Sequence, residues 1–367
     1  MRKRRIAILL GAAVIASTLT GCSGKAPAGT QAVSENNKET DPKAQAEAEG
    51  KPEAEAQSGE TVVIKFGHNY SVDHPAEIVG QWMGGQLAEK SGGRIVLETY
   101  PSGQLGTSNE LMNSVTNGTI ESCVTSTFGT LEKNIYTVEL PYLFSGFDHV
   151  KKFMHSEESA QLLSQLDAKG VHANGWWPVG WRNIGNNKRE VKSPADLKGL
   201  LIRAFDNEIL IDTLKALGAN TTVMNVSEVY VALQTGALDG EENPFLNTYT
   251  MSFFEIEKYK TETHHMMNFD VVAFNQKFWD SLSAEDQKLI DEVVAEGCDM
   301  YADLVAESDD KYRGLLEEGG VKITPIEDYA PWIQAVRPVY EKWEKELDAD
   351  LIQNVRVRPD RALCKAV

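Results

Sequence analysis

The stretch that decides the fold is residues 222–249, TVMNVSEVYVALQTGALDGEENPFLNTY. Apolar residues at helical spacing end at Gly236, and the pair Asp239-Gly240 is a turn signal. Pro244 keeps the backbone before it extended, which presents the preceding amide and carboxylate side chains at one edge. The stretch therefore predicts a strand, a helix, a tight turn and then a polar loop.

Strand and helix patterns alternate on both sides of this stretch. Short alternating or apolar runs predict strands, at 62–67, 94–100, 120–125, 171–177, 200–203 and 221–224. Apolar residues at helical spacing between them predict helices, at 74–90, 107–117 and 206–217. This order predicts an α/β fold with mostly parallel sheets.

A long helix is predicted near the end of the chain. Ser283 and Asp286 resemble a capping box, and an apolar repeat runs from there to Gly319-Gly320. An unbroken helix of this length is about 50 Å long at about 1.5 Å per residue, which exceeds one small domain. We expect it to brace two lobes; the alternative is two helices with a break near 308–310.

The chain begins with a targeting segment, residues 1–22. A basic start precedes an apolar run that is too short to span a bilayer comfortably, which predicts a signal peptide. The segment ends in Leu-Thr-Gly-Cys, which fits a bacterial lipobox with Cys22 as the lipidated residue. The alternative is a plain secretory signal with an incidental cysteine. Residues 23–60 lack aromatic residues, Leu, Ile and Met, which predicts a disordered acidic linker.

Size, charge and cysteine usage bound the function. About 300 residues remain after the linker, which predicts two cores. The formal net charge of −18 argues against nucleic acid, and it means that a few arginines must create any anion site locally. Cys123, Cys298 and Cys364 form no CxxC pair, so we expect reduced or buried thiols rather than a disulfide framework, with a single pairing left open.

The motif SEVYxALQTGxxDGxENP in the opening stretch closely resembles the signature of the solute-binding proteins of tripartite ATP-independent periplasmic (TRAP) transporters. FGHNYSVDHP, EKSGGRIVLETYPSGQLGT, ELPYLF and SPADLKGLLIR also resemble recurrent segments of that family. The resemblance implies two α/β lobes of the periplasmic-binding-protein type (class II), joined by crossing strands and braced by the long helix. It implies a ligand that is a small organic carboxylate, and no cofactor.

The same resemblance implies partners and a location. The protein would be extracytoplasmic, tethered to the membrane through Cys22, and would deliver its ligand to integral-membrane TRAP subunits that use an ion gradient. We expect a monomer. We expect one lobe to comprise 61–179 and about 269–308, and the other 180–268 and about 309–367.

The resemblance also assigns binding residues. Arg203 ends the strand of KGLLIR, where the family places the arginine that grips the ligand carboxylate, and a guanidinium is a planar two-pronged donor that matches a carboxylate. Arg182 would be a second carboxylate contact, Asn243 would reach the ligand from ENP, and His265 falls where some relatives have a histidine close to the ligand. Three positions depart from the family pattern: Phe205 replaces a proline, Glu241 a glutamine and Val226 an aromatic residue. The family's ligand contacts at these positions therefore do not carry over directly.

Other candidates follow from position along the chain. Asn69 and Ser126 follow predicted strands, and open α/β sheets bind ligands at the carboxyl ends of their strands. Asp206 either accepts hydrogen bonds from ligand hydroxyl groups or caps the following helix. For the tryptophans that surround Arg182, packing is the favoured interpretation and stacking on a sugar-like ring the alternative: Trp176, Trp177 and Trp181.

Other function classes are weaker. His264-His265 lacks a third metal ligand at suitable spacing, and the folded part contains no GxSxG, HExxH, GxGxxG or GxxxxGK[ST] motif, so we expect neither metal nor cofactor. The alternative functions are a secreted hydrolase or lyase that uses Asp206, Glu241 or Glu242 as acid or base, and a ligand-sensing receptor partner. For the ligand we prefer a sugar acid over a succinate-like dicarboxylate.

Overall fold

The structure is a computed structural model that describes residues 61–356. The predictions for the signal peptide, Cys22, the linker and Cys364 lie outside these residues. Within 61–356, no helix combines the length and the apolar composition needed to cross a bilayer.

The described chain forms one mixed sheet flanked by helices. The strands are β1 Val62–Gly67, β2 Ile95–Tyr100, β3 Ser122–Thr125, β4 Val171–Asn186, β5 Leu201–Ala204, β6 Asn220–Val223, β7 Gly240–Asn243, β8 Tyr259–Asn275 and β9 Lys322–Thr324. They pair in the order β2-β1-β3-β8-β4-β7-β5-β6, and β9 pairs with β8.

The helices cover both faces of this sheet. They are α1 Pro75–Lys90, α2 Ser108–Asn117, α3 Phe147–Met154, α4 Glu157–Ser164, α5 Glu208–Ala216, α6 Val226–Thr235, α7 Phe245–Thr250, α8 Gln276–Ser281, α9 Ala284–Glu318, α10 Ala330–Ala335, α11 Arg337–Trp343 and α12 Ala349–Arg356. The predicted elements recur within a few residues of their expected bounds, except that the strand expected at 171–177 extends to Asn186.

The sheet is less parallel than predicted. Among the described strands, five pairings are parallel and three are antiparallel. Each antiparallel pairing involves β4 or β8, the two long strands. The βαβ spacing in the sequence indicates parallel pairing inside each half, but it does not reveal two strands that run the other way between the halves.

β4 and β8 cross from one half of the sheet to the other. They pair from Val171 opposite Asn275 to Asn186 opposite Tyr259. The register shifts three times, once between Pro178 and Gly180, where Gly180 has a φ of 123° that favours glycine. The lobe boundaries at 179/180 and 268/269 stay a prediction.

β7 corrects the prediction of a polar loop after the Asp239-Gly240 turn. Residues 240–243 are a buried strand in which Glu242 pairs with Ile184 and Asn243 with Asn183. Consecutive charged residues normally indicate a solvated segment. Here both glutamates lie beside buried cations, and these partners are distant in the sequence.

α9 is one unbroken helix of 35 residues, as expected, so the alternative of two helices with a break near 308–310 is wrong. The Ser283 side chain caps it by accepting a hydrogen bond from the Asp286 backbone. Ile290 and Val293 belong to the core around β1 and α1, whereas Leu316 packs in a separate cluster with Phe245 beside β9. The helix therefore contacts both halves of the fold, as predicted.

Candidate functional site

A cleft with about 500 Å³ of empty space, part of it open to solvent, lies where the halves of the sheet meet. Its lining comes from the crossing strands β4 and β8 and from chain at or just beyond the carboxyl ends of β1, β3, β5 and β7. The lining residues are Asn69, Tyr70, Ser108, Val124, Thr125, Ser126, Arg182, Arg203, Phe205, Val226, Asn243, Asn247, Met251, Asn268 and Asp270. Strand ends that converge on one cleft are the usual binding position in open α/β sheets.

Arg203 lies near the end of β5 and is 4% exposed. Its Nε donates to the Met224 backbone oxygen at 2.9 Å, which fixes the direction of the guanidinium. Among the described residues, no carboxylate lies within ion-pair distance of Arg203 and no acceptor faces its terminal nitrogens. Burial lowers the pKa of Arg203 to about 10; the more distant Glu242 and Glu241 charges oppose this effect, and the nearby Arg182 cation adds to it. The site therefore holds a buried cation without a counter-ion.

Arg182 lines the same cleft from β4, but it is paired. Its Nη2 lies 2.7 Å from Glu242 Oε1, and its Nε also donates to that carboxylate. Burial opposes ionisation of Glu242, but the Arg182 charge and the contacts of Glu242 with Arg182 and His265 together outweigh burial and lower the pKa of Glu242 to about 2. Arg182 and Glu242 thus form a buried ion pair that is neutral as a unit.

Further contacts fix the position of the Arg182 guanidinium. Its Nη1 donates to Asn268 Oδ1 and its Nη2 to Asn243 Oδ1, both at 3.1 Å. The Phe205 ring centroid lies 4.9 Å from the guanidinium carbon, so the residue that replaces the expected proline stacks on Arg182. Most of the N–H groups of Arg182 are therefore occupied by protein acceptors.

Three other predicted residues also line the cleft. Asn243 lies 3% exposed on β7 and holds Arg182. Asn69 is half-buried after β1, and its amide lies 2.8 Å from the Ser108 hydroxyl. Ser126 is half-buried just after β3. The structure thus brings together five of the seven predicted binding residues.

Asp206 and His265 are not in the lining of the cleft. Asp206 is exposed and accepts a hydrogen bond from Asn109 at 3.0 Å. The capping alternative for Asp206 is wrong, since Asn207 caps α5. His265 is fully buried behind the ion pair, 3.5 Å from Glu242 Oε2, where burial lowers its pKa. His265 therefore contacts Glu242, and its role toward a ligand stays a prediction.

Glu241 and Glu242, two of the three acids of the hydrolase alternative, are engaged in buried ion pairs. Glu241 is fully buried and lies 2.8 Å from Lys260 Nζ. Glu257 lies 3.8 Å from the same amine, and burial and the Glu241 charge raise its pKa well above the ordinary value. Glu242 pairs with Arg182. Two of the three acids of the hydrolase alternative therefore serve buried ion pairs.

The tryptophans support the packing interpretation rather than ligand stacking. Trp176 and Trp177 are buried in the core, at 2% and 0% exposed. Trp181 is half-buried, and its ring lies near Phe147 and His264 rather than in the cleft. Val226, which replaces the expected aromatic residue, does line the cleft.

Sequence reasoning missed six polar residues of the cleft: Tyr70, Ser108, Thr125, Asn247, Asn268 and Asp270. Asn268 and Asp270 had a usable signal, because they interrupt an apolar strand and their spacing of two puts them on one face. Tyr70 is next to the predicted Asn69. Asn247 lies within a short helix and carries no signal in the sequence.

Within 61–356, potential metal ligands do not cluster, and the two cysteines are buried. No group of three or more potential metal-ligating side chains occurs within this range. Cys123 and Cys298 are free and buried, and burial raises the pKa of both thiols. Both therefore resemble structural rather than reactive cysteines.

Comparisons with known proteins agree with this geometry. The model of the bacterial extracellular solute-binding protein family 7, DctP, matches residues 66–346. The C4-dicarboxylate-binding periplasmic protein DctP of Vibrio cholerae is 32% identical over 298 residues, which cover 80% of this chain and 89% of that protein. The 2,3-diketo-L-gulonate-binding periplasmic protein YiaO of Escherichia coli is 31% identical over 224 residues, or 60% of this chain and 68% of that protein.

Solved structures of TRAP periplasmic solute-binding proteins are also similar. The protein from Haemophilus influenzae with bound L-gulonate has a TM-score of 0.78 at 25% identity, covering 80% of this chain and 99% of that one. The protein from Shewanella oneidensis with bound succinate has a TM-score of 0.77 at 26% identity, covering 81% and 99%. These matches confirm the predicted two-lobe fold. The chain therefore belongs to the bacterial extracellular solute-binding protein family 7, the solute-binding proteins of TRAP transporters.

Proposed function

We propose that this protein captures a small organic carboxylate outside the cytoplasm and delivers it to the membrane subunits of a TRAP transporter. The observation that carries this proposal is Arg203, a buried guanidinium that faces the cleft without a carboxylate partner among residues 61–356. A buried unpaired cation is costly, and a ligand carboxylate would relieve that cost by a two-pronged, charge-assisted contact.

The rest of the cleft suits a hydroxylated acid. Asn69, Ser126 and Asn243 supply neutral amide and hydroxyl groups to the lining. Such groups both donate and accept hydrogen bonds, which matches hydroxyl groups on a ligand. Relatives with bound galacturonate, gulonate and glucuronate support a sugar acid, and a relative with bound succinate supports the dicarboxylate alternative.

Capture would involve closure of the two lobes about the crossing strands. In our proposal these lobes are 61–179 with about 269–308, and 180–268 with about 309–367. Arg203 lies on β5, whereas Asn69 and Ser126 follow β1 and β3 in the other half of the sheet. A ligand that contacts both halves would favour the closed state in proportion to its difference in affinity for the two states.

The central experiment is calorimetry with the Arg203→Ala variant. We expect a loss of about 3–5 kcal/mol of binding free energy, or two to three orders of magnitude in affinity, because the ligand carboxylate would be buried without its partner. Sugar acids, dicarboxylates, keto acids and neutral sugars form the panel. Arg337→Ala, at an exposed arginine outside the cleft, is the matched control and should bind as the unaltered protein does. A folded Arg203→Ala variant that keeps its affinity, or a protein that binds only neutral sugars, would refute the proposal.

The lipid anchor is a separate part of the proposal. It is supported by Leu-Thr-Gly-Cys at 19–22 and by the polar composition of 23–60. Two acyl chains at Cys22 would hold the protein stably at a membrane surface. We expect Cys22→Ala to shift the protein from the membrane fraction to the soluble fraction or to block signal cleavage, whereas a chain that begins at Glu60 should bind ligand normally. Unchanged membrane association of a Cys22→Ala protein whose signal peptide has been cleaved would contradict the anchor alone.

A further inference from the structure

Asp270 is an acid inside the cleft that none of the binding residues above requires. It lies on β8, is 3% exposed and lines the cleft together with Arg203. The Tyr70 hydroxyl donates to its Oδ2 at 2.7 Å. Among residues 61–356, its Oδ1 has no hydrogen-bond partner.

The charges around Asp270 do not neutralise it. Arg182 is the nearby cation, but Glu242 already pairs with it. Burial raises the pKa of Asp270 to about 7, although the Tyr70 hydrogen bond and the Arg182 charge act in the opposite direction. The other titratable groups that interact with Asp270 are Tyr70, Tyr301, Cys123 and Glu139.

A purely structural role leaves half of this carboxylate unexplained. An amide or a hydroxyl at position 270 would serve Tyr70 as an acceptor without the cost of a buried acid. The neighbouring acid Glu139, by contrast, has both oxygens occupied, by Asn268 at 2.8 Å and by Asn207. Asp270 lines the cleft and its Oδ1 lacks a protein donor among residues 61–356, which points to a donor on the ligand.

We propose that Asp270 accepts a hydrogen bond from a donor group of the bound acid, a hydroxyl or an ammonium, and so selects hydroxy or amino acids over plain dicarboxylates. This inference rests on the proposed function, since Arg203 must hold the carboxylate of the same ligand. A second carboxylate in this cleft would meet the Asp270 charge and repel it, unless a proton were taken up. Arg203 then recognises the carboxylate of the ligand, and Asp270 recognises its donor group.

The test is calorimetry on the full chain with Asp270→Asn, using the tightest ligand of the carboxylate panel. We expect a loss of about 10- to 100-fold in affinity, as for a hydrogen bond to a charged group. The matched control is Asp309→Asn, because Asp309 is also an acid whose pKa is raised by burial, to about 6, but it lies on α9 outside the cleft. Asp309→Asn should bind as the unaltered protein does.

A series of four-carbon acids in the unaltered protein gives a second measurement, which stands even where Asp270→Asn fails to fold. Butyrate, 4-hydroxybutyrate, 4-aminobutyrate and succinate share one carboxylate and differ in the group at the other end. In competition with the tightest ligand, we expect the hydroxyl or the ammonium acid to bind at least about tenfold more tightly than butyrate and succinate. Asp270→Asn should remove this preference.

The pH dependence distinguishes the two donors. A ligand hydroxyl that donates to Asp270 stabilises its ionised form and lowers its pKa, so affinity rises as pH rises through about 7. An ammonium adds a positive charge to the same hydrogen bond, so it lowers that pKa further and affinity rises more steeply over the same interval. Either slope should flatten in Asp270→Asn. Glu139 is the other nearby acid, and burial raises its pKa to about 8. The Glu139→Gln variant measures how much of the pH dependence comes from Glu139 rather than from Asp270.

Two outcomes would overturn the inference while leaving the proposed function intact. One is an Asp270→Asn variant that binds the tightest acid within about twofold of the unaltered protein while Arg203→Ala loses that ligand. The other is a four-carbon series in which the methyl or carboxylate end binds as tightly as the hydroxyl and ammonium ends. If both Asp270→Asn and Arg203→Ala keep full affinity, the carboxylate site itself is refuted.

Discussion

β4 and β5 each bring one arginine to the same cleft, and the two differ in what surrounds them. Arg182 on β4 is 2% exposed and pairs with Glu242 at 2.7 Å. Arg203 on β5 is 4% exposed, and its hydrogen bond within 61–356 goes to a backbone oxygen. The pKa values follow this difference, because Glu242 raises the pKa of Arg182 against the effect of burial, whereas burial lowers the pKa of Arg203.

The presence or absence of a carboxylate partner distinguishes a structural arginine from a ligand-binding one better than burial or position does. Both arginines are nearly inaccessible, and both line the cleft. A buried cation with its own carboxylate is part of the folded framework, whereas one without a counter-ion is arranged for an anion that arrives from outside. In the proposed function Arg182 shapes the cleft and Arg203 binds the ligand, which is a narrower role for Arg182 than the sequence suggests.

Arg182→Met is the strongest test of the comparison. It leaves Glu242 buried and unpaired, so we expect the free energy of unfolding to fall by about 3–5 kcal/mol. Urea denaturation of the unliganded protein measures this loss. The double variant Arg182→Met with Glu242→Leu is the control, and it should recover most of the stability because no charge is left behind. An Arg182→Met variant as stable as the unaltered protein would show that the ion pair is not part of the framework.

Ligand stabilisation should depend on Arg203. At a free ligand concentration about a hundredfold above the Kd, the folded state gains about 2.7 kcal/mol. Thermal shift across the carboxylate panel measures this gain. The same ligand concentration should give almost no shift in Arg203→Ala, while Arg337→Ala keeps the full shift. An equal shift in both variants would place the ligand outside the reach of Arg203.

Arg203→Lys sharpens the chemical part of the comparison. Lysine keeps the positive charge but offers a point charge instead of a planar fork, so the two-pronged contact is lost. We expect a loss of about 2 kcal/mol of binding free energy, between the unaltered protein and Arg203→Ala. Calorimetry with the tightest carboxylate measures it. Full affinity in Arg203→Lys would mean that charge alone, and not geometry, recognises the ligand.

The elements of the fold were largely predictable because they depend on local patterns. β1 and α1 match their expected bounds, because Gly67 is the last residue of the strand and Pro75 favours the first position of the helix. β7 was not predictable as a strand, because its glutamates are compensated by Arg182 and Lys260. Those pairings depend on long-range contacts that no local pattern encodes.

The site shows the same division. Asn69 and Ser126 were predictable because strand ends in α/β folds converge, and Arg203 because KGLLIR resembles a recurrent family segment; all three line the cleft. His265 lies on β8 behind Glu242, and the one-residue alternation along β8 did not decide which face would meet the cleft. Asp270 was visible as a charge in an apolar strand, yet only the three-dimensional arrangement sets it in the cleft.

The smallest expected effect is on the stability of the unliganded Arg203→Ala variant. Removing Arg203 deletes one hydrogen bond to Met224 and some packing, but it also removes the cost of burying an unpaired cation. These terms oppose each other, so we expect the free energy of unfolding to change by less than about 1 kcal/mol. Urea denaturation of this variant beside Arg182→Met makes the contrast direct, because the two substitutions remove the same charge from the same cleft. If Arg203→Ala lowers the free energy of unfolding as much as Arg182→Met does, Arg203 is also a structural cation, and the distinction between the two arginines fails.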